Sequence, residues 1–226
     1  MTRHAEGVGV QPTSRDGVVA LVVARVLGLT GTGVAADARR VRVLVDGHPS
    51  TEPGAWADAL VEPLRAAGHE AFRVSAGTFL RAASLRLERG REDPDALYEA
   101  WLDAAALERE VLRPFGPGGT GRFTPSLRDP ATDRPTREPA RDTPPGSVLL
   151  LDGALLLGQG LPAELTVHLA TRAATLRRRT PDDERWTLPA YDRYEREVTP
   201  AEEADVVVHV DDARHPAVLD RTTGRR

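Results

Sequence analysis

Apolar positions along the chain fall into two alternating patterns. Short, β-branched runs at 41–45, 71–74, 148–151, 165–169 and 206–210 are separated by longer stretches in which apolar residues recur at helical spacing, as in 54–67. Strand-length runs interleaved with helices predict an α/β fold, a doubly wound parallel sheet of about five strands with helices on both faces. Ahead of the first strand, Val18, Val19, Leu21, Val22, Val26 and Leu27 form a helix-like stripe. Ser14 caps it and Gly28 stops it on this reading, giving a short helix packed on the outside. The segment 94–113 carries Leu97, Trp101, Ala104, Leu107 or Glu108, and Val111 at helical spacing, so Trp101 is expected in the core. Prolines crowd 114–146, predicting a loop or irregular hairpin. Residues 1–13 read as a loose arm, 30–37 as a Gly/Thr-rich linker and 221–226 as a frayed tail. The chain then divides into an arm with its packing helix at 1–40, a domain at 41–220 and the tail.

Composition narrows the chemistry. The 226 residues include 30 basic and 34 acidic side chains, a formal charge of −4, with no cysteine, and every basic one is an arginine. Disulfides, thiolate metal sites, cysteine nucleophiles and Schiff-base lysines are excluded. The acidic balance and the lack of a basic stripe argue against a nucleic-acid partner. The run 17–29 is interrupted by Arg25 and falls short of the roughly 18 to 20 residues of a membrane span. With no signal-peptide pattern at the start, a cytoplasmic protein without a membrane partner is expected.

In a doubly wound sheet, ligands bind beyond the carboxyl ends of the strands. After 41–45 the chain reads Asp46-Gly47-His48-Pro49-Ser50-Thr51-Glu52-Pro53-Gly54 and leads into a helix. Strand, glycine, short loop and helix N-terminus form the context of a phosphate loop, Gly-x-x-x-x-Gly-Lys-Ser/Thr. There, backbone N–H groups cradle phosphates, the lysine reaches the β/γ oxygens and the hydroxyl holds magnesium. Counted from Gly47, Glu52 replaces the second glycine, Pro53 the lysine and Gly54 the hydroxyl residue. A carboxylate about 4 Å from a phosphate charge repels it by about 4 kcal/mol at an effective dielectric of about 20. Pro53 lacks an N–H. The expectation is that the Glu52 carboxylate itself takes the anion position, with Ser50 or Thr51 capping the following helix.

The loop belongs to a longer series. It comprises Val43-Leu44-Val45-Asp46-Gly47, Glu88-Arg89-Gly90-Arg91-Glu92 with Tyr98, Leu102-Asp103, Pro114-Phe115-Gly116-Pro117-Gly118-Gly119 followed by Arg122-Phe123, and Thr132-Asp133-Arg134-Pro135. It continues through the run 144–153, Tyr194-Glu195-Arg196, Pro200 and the run 204–208. In order and spacing, the series resembles the uridine kinase family of P-loop nucleoside kinases over about residues 40–218. The resemblance implies a P-loop NTPase-like sheet and a uridine kinase-like domain at 41–220.

It also implies roles. Asp152 looks like the acidic residue that orders water around magnesium; the plain alternative is a strand-end aspartate capping the next turn. Asp103, Phe79 and Arg122 fall at the acceptor nucleoside, Asp103 at its ribose hydroxyls, with a solvated helix residue as the alternative for Asp103. Arg177 and Arg178, beside Arg179, fall where the family lid supplies arginines to phosphates. Three adjacent residues point in different directions around a helix, so one or two of them are surface charges. The family's base is an aspartate two residues before an aromatic; here Phe79 is kept but Gly77 stands in the aspartate's place, and no catalytic base is assigned. His168 and His209 read as satisfied strand residues, a His48–Asp152 pair is a metal or acid/base alternative, and Asp182-Asp183-Glu184 reads as a solvated lid.

The sequence thus points to a uridine kinase-like P-loop protein with a nucleoside or nucleotide pocket and weak or no kinase activity, acting as a sensor, a regulator or an assembly partner in a homo-oligomer or with another protein. Mg and ATP are its cofactors if it is active; otherwise none is expected. The alternatives are an active ATP-dependent uridine or other nucleoside kinase with an atypical phosphate loop, and a structural or partner-binding domain without ligand.

Overall fold

The computed structural model describes residues 9–30 and 39–221. The chain enters through strand β1 (Gln11–Pro12) and helix α1 (Arg15–Thr30). Val18, Val22 and Val26 are buried along one stripe of α1, and Ser14 Oγ caps it by accepting the Gly17 N–H at 3.1 Å. Gly28 does not stop this helix, which runs on to Thr30. A helical glycine costs only about 1 kcal/mol, less than the buried stripe returns.

Strand β2 (Val41–Gly47), helix α2 (Pro53–Ala66) and strand β3 (Ala71–Ser75) follow. The insertion then holds α3 (Ala83–Arg86), α4 (Pro94–Ala100), α5 (Ala104–Leu107), a π-helical turn (Glu108–Leu112), α6 (Arg113–Phe115) and an irregular hairpin of β4 (Arg122–Phe123) and β5 (Arg141–Asp142). The single helix expected over 94–113 is broken. Leu102 pairs with Leu80 in an isolated bridge, and the Asp103 carboxylate starts α5 by accepting the Ala106 N–H at 2.9 Å. The rest of the chain is β6 (Val148–Gly153), β7 (Leu165–Ala170), α7 (Ala173–Arg179), α8 (Leu188–Glu197), α9 (Pro200–Glu203), β8 (Val206–His209) and β9 (Ala217–Asp220).

Among the described residues the main sheet has seven strands in the order β1-β9-β8-β7-β2-β6-β3. The five expected strands, β8-β7-β2-β6-β3, are parallel, and β9 and β1 extend the edge antiparallel. Part of the expected arm is therefore strand, with Gln11 and Pro12 opposite Val218 and Ala217. Residues 1–8, 31–38 and 222–226, which carry most of the expected arm, linker and tail, lie outside the described residues.

β2 is buried at every position, as a strand covered on both faces must be. Its alternation splits the core in two. Val41, Val43 and Val45 pack with α1 and α2, whereas Leu44 joins Leu149, Leu151, Phe79, Phe115 and Tyr194 on the other face. The winding reverses at β2, with β6 and β3 on one side and β7 and β8 on the other. The crevice at its carboxyl end is the switch point where such sheets take ligands.

Candidate functional site

β2 ends at Gly47, where an added Cβ would lie 2.6 Å from Thr51 Oγ1 and 2.9 Å from Leu169 Cβ, so only glycine lets the chain turn here. Pro49–Thr51 then form a 3-10 turn that uses its donors internally. The Ser50 N–H donates to His48 Nδ1 at 3.0 Å, and the Thr51 N–H and hydroxyl donate to the His48 carbonyl at 2.8 and 2.7 Å. The Glu52 N–H donates to the Pro49 carbonyl at 3.0 Å. Pro49 and Pro53 have no N–H to offer. An anion cradle needs unpaired N–H groups converging outward; this turn is closed on itself. Glu52 adopts the left-handed backbone, φ 56° and ψ 57°, at the place of the pattern's second glycine. Its side chain is exposed and makes no capping bond to α2. The expectation that its carboxylate fills the anion position is therefore corrected, and so is the capping of α2 by Ser50 or Thr51, which turn back on His48 instead.

Across the crevice, β6 pairs with β3 so that Asp152 lies opposite Ser75. Arg73, two residues before Ser75, shares that face. Its guanidinium holds Asp152 through Nε–Oδ1 at 2.7 Å and NH2–Oδ2 at 3.1 Å, and reaches Asp58 Oδ2 on α2 at 3.0 Å. The bonds to Asp152 raise the Arg73 pKa against the partial burial that lowers it. An added Cβ on Gly54 would sit 2.2 Å from Arg73 NH2, so a serine or threonine at position 54 and a guanidinium in this place exclude each other. Arg73 carried no motif and was missed by sequence reasoning; only the β3–β6 register reveals it.

His48 does not pair with Asp152. Its Nδ1 accepts the Ser50 N–H, its ring packs edge-on against Tyr191 with centroids 4.3 Å apart, and burial drives its pKa down to about 4. The partner sequence reasoning did not supply is Asp46, which is wholly buried. Asp46 Oδ1 accepts the Leu156 N–H at 2.9 Å; Oδ2 takes His168 Nδ1 at 2.7 Å and the Tyr194 hydroxyl at 3.0 Å. Tyr194 in turn accepts the Leu157 N–H at 3.0 Å, and burial together with the Asp46 charge raises its pKa, keeping it a donor. The β2–β7 register sets His168 opposite Asp46.

On the β3–β6 side of the turn lies a cleft of ≈ 340 Å³. Pro49, Pro53 and Asp152 border it on one side, and Tyr98, Trp101 and Tyr191 supply aromatic walls. Trp101, expected in the core, is half-buried here, tilted against Trp186 with centroids 5.7 Å apart and covered by the Arg86 guanidinium at 4.9 Å. Gly77 also lines the cleft, and an added Cβ there would meet only Ser75 Oγ at 3.4 Å. The three residues expected at a nucleoside do not line it. Phe79 is 1% exposed in the core, Asp103 caps α5, and Arg122 pairs with Asp142 at 2.9 Å on the β4–β5 hairpin. Of the lid arginines, Arg177 approaches Asp192 at 3.7 Å, Arg178 is exposed, and Arg179 donates to the Val210 and Asp211 carbonyls. Among the described residues no three His, Asp or Glu side chains gather as a metal site, and no helix is long and apolar enough to cross a membrane.

No family model and no curated protein matches the chain. Solved structures do. One is a possible uridine kinase from Bacillus stearothermophilus, at a TM-score of 0.66 and 18% identity over 85% of this chain and 97% of that one. Another is a candidate fructose transport system kinase from Silicibacter sp. TM1040, at a TM-score of 0.56 and 20% identity over 82% of this chain and 94% of that one. The fold is that of the P-loop kinases. The turn after β2 and the start of α2 lie at the switch point of this shared fold.

Proposed function

We propose that this chain is a uridine kinase-like protein that keeps a nucleoside pocket and does not transfer phosphate from ATP. The observation that carries the reading is the Arg73 guanidinium. It holds both oxygens of Asp152 and stands where a hydroxyl side chain at position 54 would have to be. A magnesium ion needs oxygen ligands in near-ideal octahedral geometry. Here the carboxylate is committed, position 54 offers none, and a resident positive charge repels a second cation. Magnesium and ATP phosphates do not fit these residues. The closed turn, with its Ser50, Thr51 and Glu52 N–H groups already bonded, supports the same conclusion.

The cleft supports the nucleoside half of the proposal. Its ≈ 340 Å³ falls at the small end of ligand pockets, and aromatic walls at Tyr98, Trp101 and Tyr191 suit the flat face of a base. Calorimetric titration with uridine and cytidine, paired with a transfer assay using labelled ATP and magnesium, tests both halves. The expected result is nucleoside binding that Trp101→Ala weakens at least tenfold, without labelled nucleotide above the blank. Labelled nucleoside monophosphate formed by the wild-type protein would overturn the proposal. Silence toward both nucleosides would leave a fold used for a partner rather than a ligand.

A further inference from the structure

Two helices supply the aromatic walls of the cleft. Tyr98 and Trp101 come from α4 and its carboxyl end, and Tyr191 comes from α8. The contact between these helices centres on Arg193 of α8. Its NH1 donates to Glu99 Oε1 at 2.8 Å and to Asp95 Oδ1 at 3.1 Å on α4, while its Nε donates to Glu197 Oε1 at 2.9 Å on its own helix. Asp95 and Glu99 stand at i and i+4, as do Arg193 and Glu197, so each pair shares one helix face. The same guanidinium covers the Tyr98 ring at 4.4 Å from its centroid. Among the described residues, no other side chain makes an ion pair between α4 and α8.

The charge balance of this contact hangs on one side chain. α4 brings Asp95 and Glu99 to it, and α8 brings Glu197 with Arg193. With the guanidinium in place the helices attract; without it, Glu197 faces two carboxylates and nothing offsets them. A single exposed ion pair contributes little, but here one guanidinium, 27% exposed, serves three carboxylates and an aromatic ring at once. Tyr98 is held at both ends by α8, its ring under Arg193 and its hydroxyl on Glu197; burial and then that hydrogen bond raise its pKa, which keeps it a donor. Trp101, at the end of α4, and Trp186, in the 3-10 segment Asp182–Thr187 that leads into α8, meet at 5.7 Å between centroids with a 52° tilt. Their spacing reports how closely the two helices approach.

We propose that Arg193 is a positioning residue of the nucleoside cleft, clasping α4 to α8 so that Tyr98 and Trp101 stand at the distance from Tyr191 that a flat base requires. Arg193 does not itself line the cleft, so it acts through Tyr98 rather than on the ligand. The proposal rests on the nucleoside reading for the identity of the occupant alone; the clasp belongs to the ligand-free chain. Salt separates it from a general loss of stability. Raising ionic strength from about 0.1 M to about 1 M shortens the screening length from about 10 Å to about 3 Å. Screening loosens an attractive contact and relieves a repulsive one, so the wild-type chain and a variant without the guanidinium respond to salt with opposite sign.

The test reads the full chain in two ways at low and high sodium chloride: circular dichroism of the exciton couplet of the Trp101 and Trp186 indoles, assigned by its loss in Trp186→Phe, and calorimetric titration with uridine. At low salt, Arg193→Gln is expected to reduce the couplet and to weaken uridine about fivefold. High salt should restore part of both in Arg193→Gln and diminish both in the wild-type protein. Asp95→Asn combined with Glu99→Gln changes only exposed side chains and should reduce the ligand-free couplet as well, so the outcome does not hang on the folding of one variant. Arg65→Gln, which removes an exposed ion pair on α2, should leave both readings unchanged. Silence of the wild-type chain toward uridine overturns the nucleoside reading, and the ligand-free couplet still decides the clasp. An undiminished couplet in Arg193→Gln, or a salt response of the same sign in both proteins, overturns the role of Arg193.

Discussion

Arg73 and Asp152 form a two-pronged ion pair, Nε–Oδ1 at 2.7 Å and NH2–Oδ2 at 3.1 Å, over the first turn of α2. Asp152 is 4% exposed, and this guanidinium is its ion-pair partner. Charged hydrogen bonds contribute about 1.5–3 kcal/mol, and an uncompensated buried carboxylate costs more. The Arg73 side chain is 34% exposed, which places the expectation near the lower end.

Arg73→Ala should therefore destabilise the chain by about 2 kcal/mol in urea denaturation. Arg73→Lys should recover less than half of that loss, because a point charge does not reproduce the planar fork. In Arg73→Ala, manganese should raise the melting temperature, since Asp152 and Asp58 then lack their counter-ion; in the wild-type protein it should not. Equal manganese effects in the two proteins would remove Arg73 from its role as the resident cation.

Glu52 supplies the second prediction. Its left-handed backbone is costly for an L side chain and free for glycine, and its carboxylate makes no capping bond. Glu52→Gly should raise stability by about 1 kcal/mol. It should not create ATP affinity, because the Ser50, Thr51 and Glu52 positions keep their internal N–H bonds and no lysine is added. Tight ATP binding by this variant would show that the carboxylate alone had blocked the loop.

How much could be read from the sequence follows from how far each partner lies along the chain. Local signals were legible: the five parallel strands, the Ser14 cap and the irregular proline-rich hairpin all follow from patterns within a few residues. The expected break at Gly28 failed because burial of Val18, Val22 and Val26 outweighs one glycine. The short edge pieces β1 and β9 carry too few residues for a period to be seen. At the site, the unusual loop was visible at Glu52, Pro53 and Gly54, but its consequence was misplaced onto Glu52. Arg73 meets Asp152 across 79 residues, and Asp46 meets His168 across 122. Strand register makes both pairs, and no single-sequence motif encodes it. Phe79, Asp103 and Arg122 show the converse, because residues matched by motif order came to rest in the core, at a helix cap and on a hairpin.

His48 gives the third prediction through pH. Its pKa falls from 6.5 in the unfolded chain to about 4 in the folded one, because burial penalises the charged ring. Between those values the unfolded chain takes up a proton that the folded chain excludes. This contribution to stability is full above pH 6.5 and declines as pH falls toward 4, by at most about 3 kcal/mol. His48→Asn keeps an acceptor for the Ser50 N–H and does not titrate, so its stability curve should be flatter over that window. Identical slopes for the two proteins would place the acid sensitivity elsewhere.

The proposed function requires that the magnesium and phosphate positions be taken by the chain's own groups. Its most direct test is a calorimetric titration of the wild-type chain with ATP in excess magnesium, repeated with Arg73→Ala. No saturable heat is expected for the wild-type protein, while uridine binds under the same conditions. Saturable, magnesium-dependent ATP binding to the wild-type chain would contradict it.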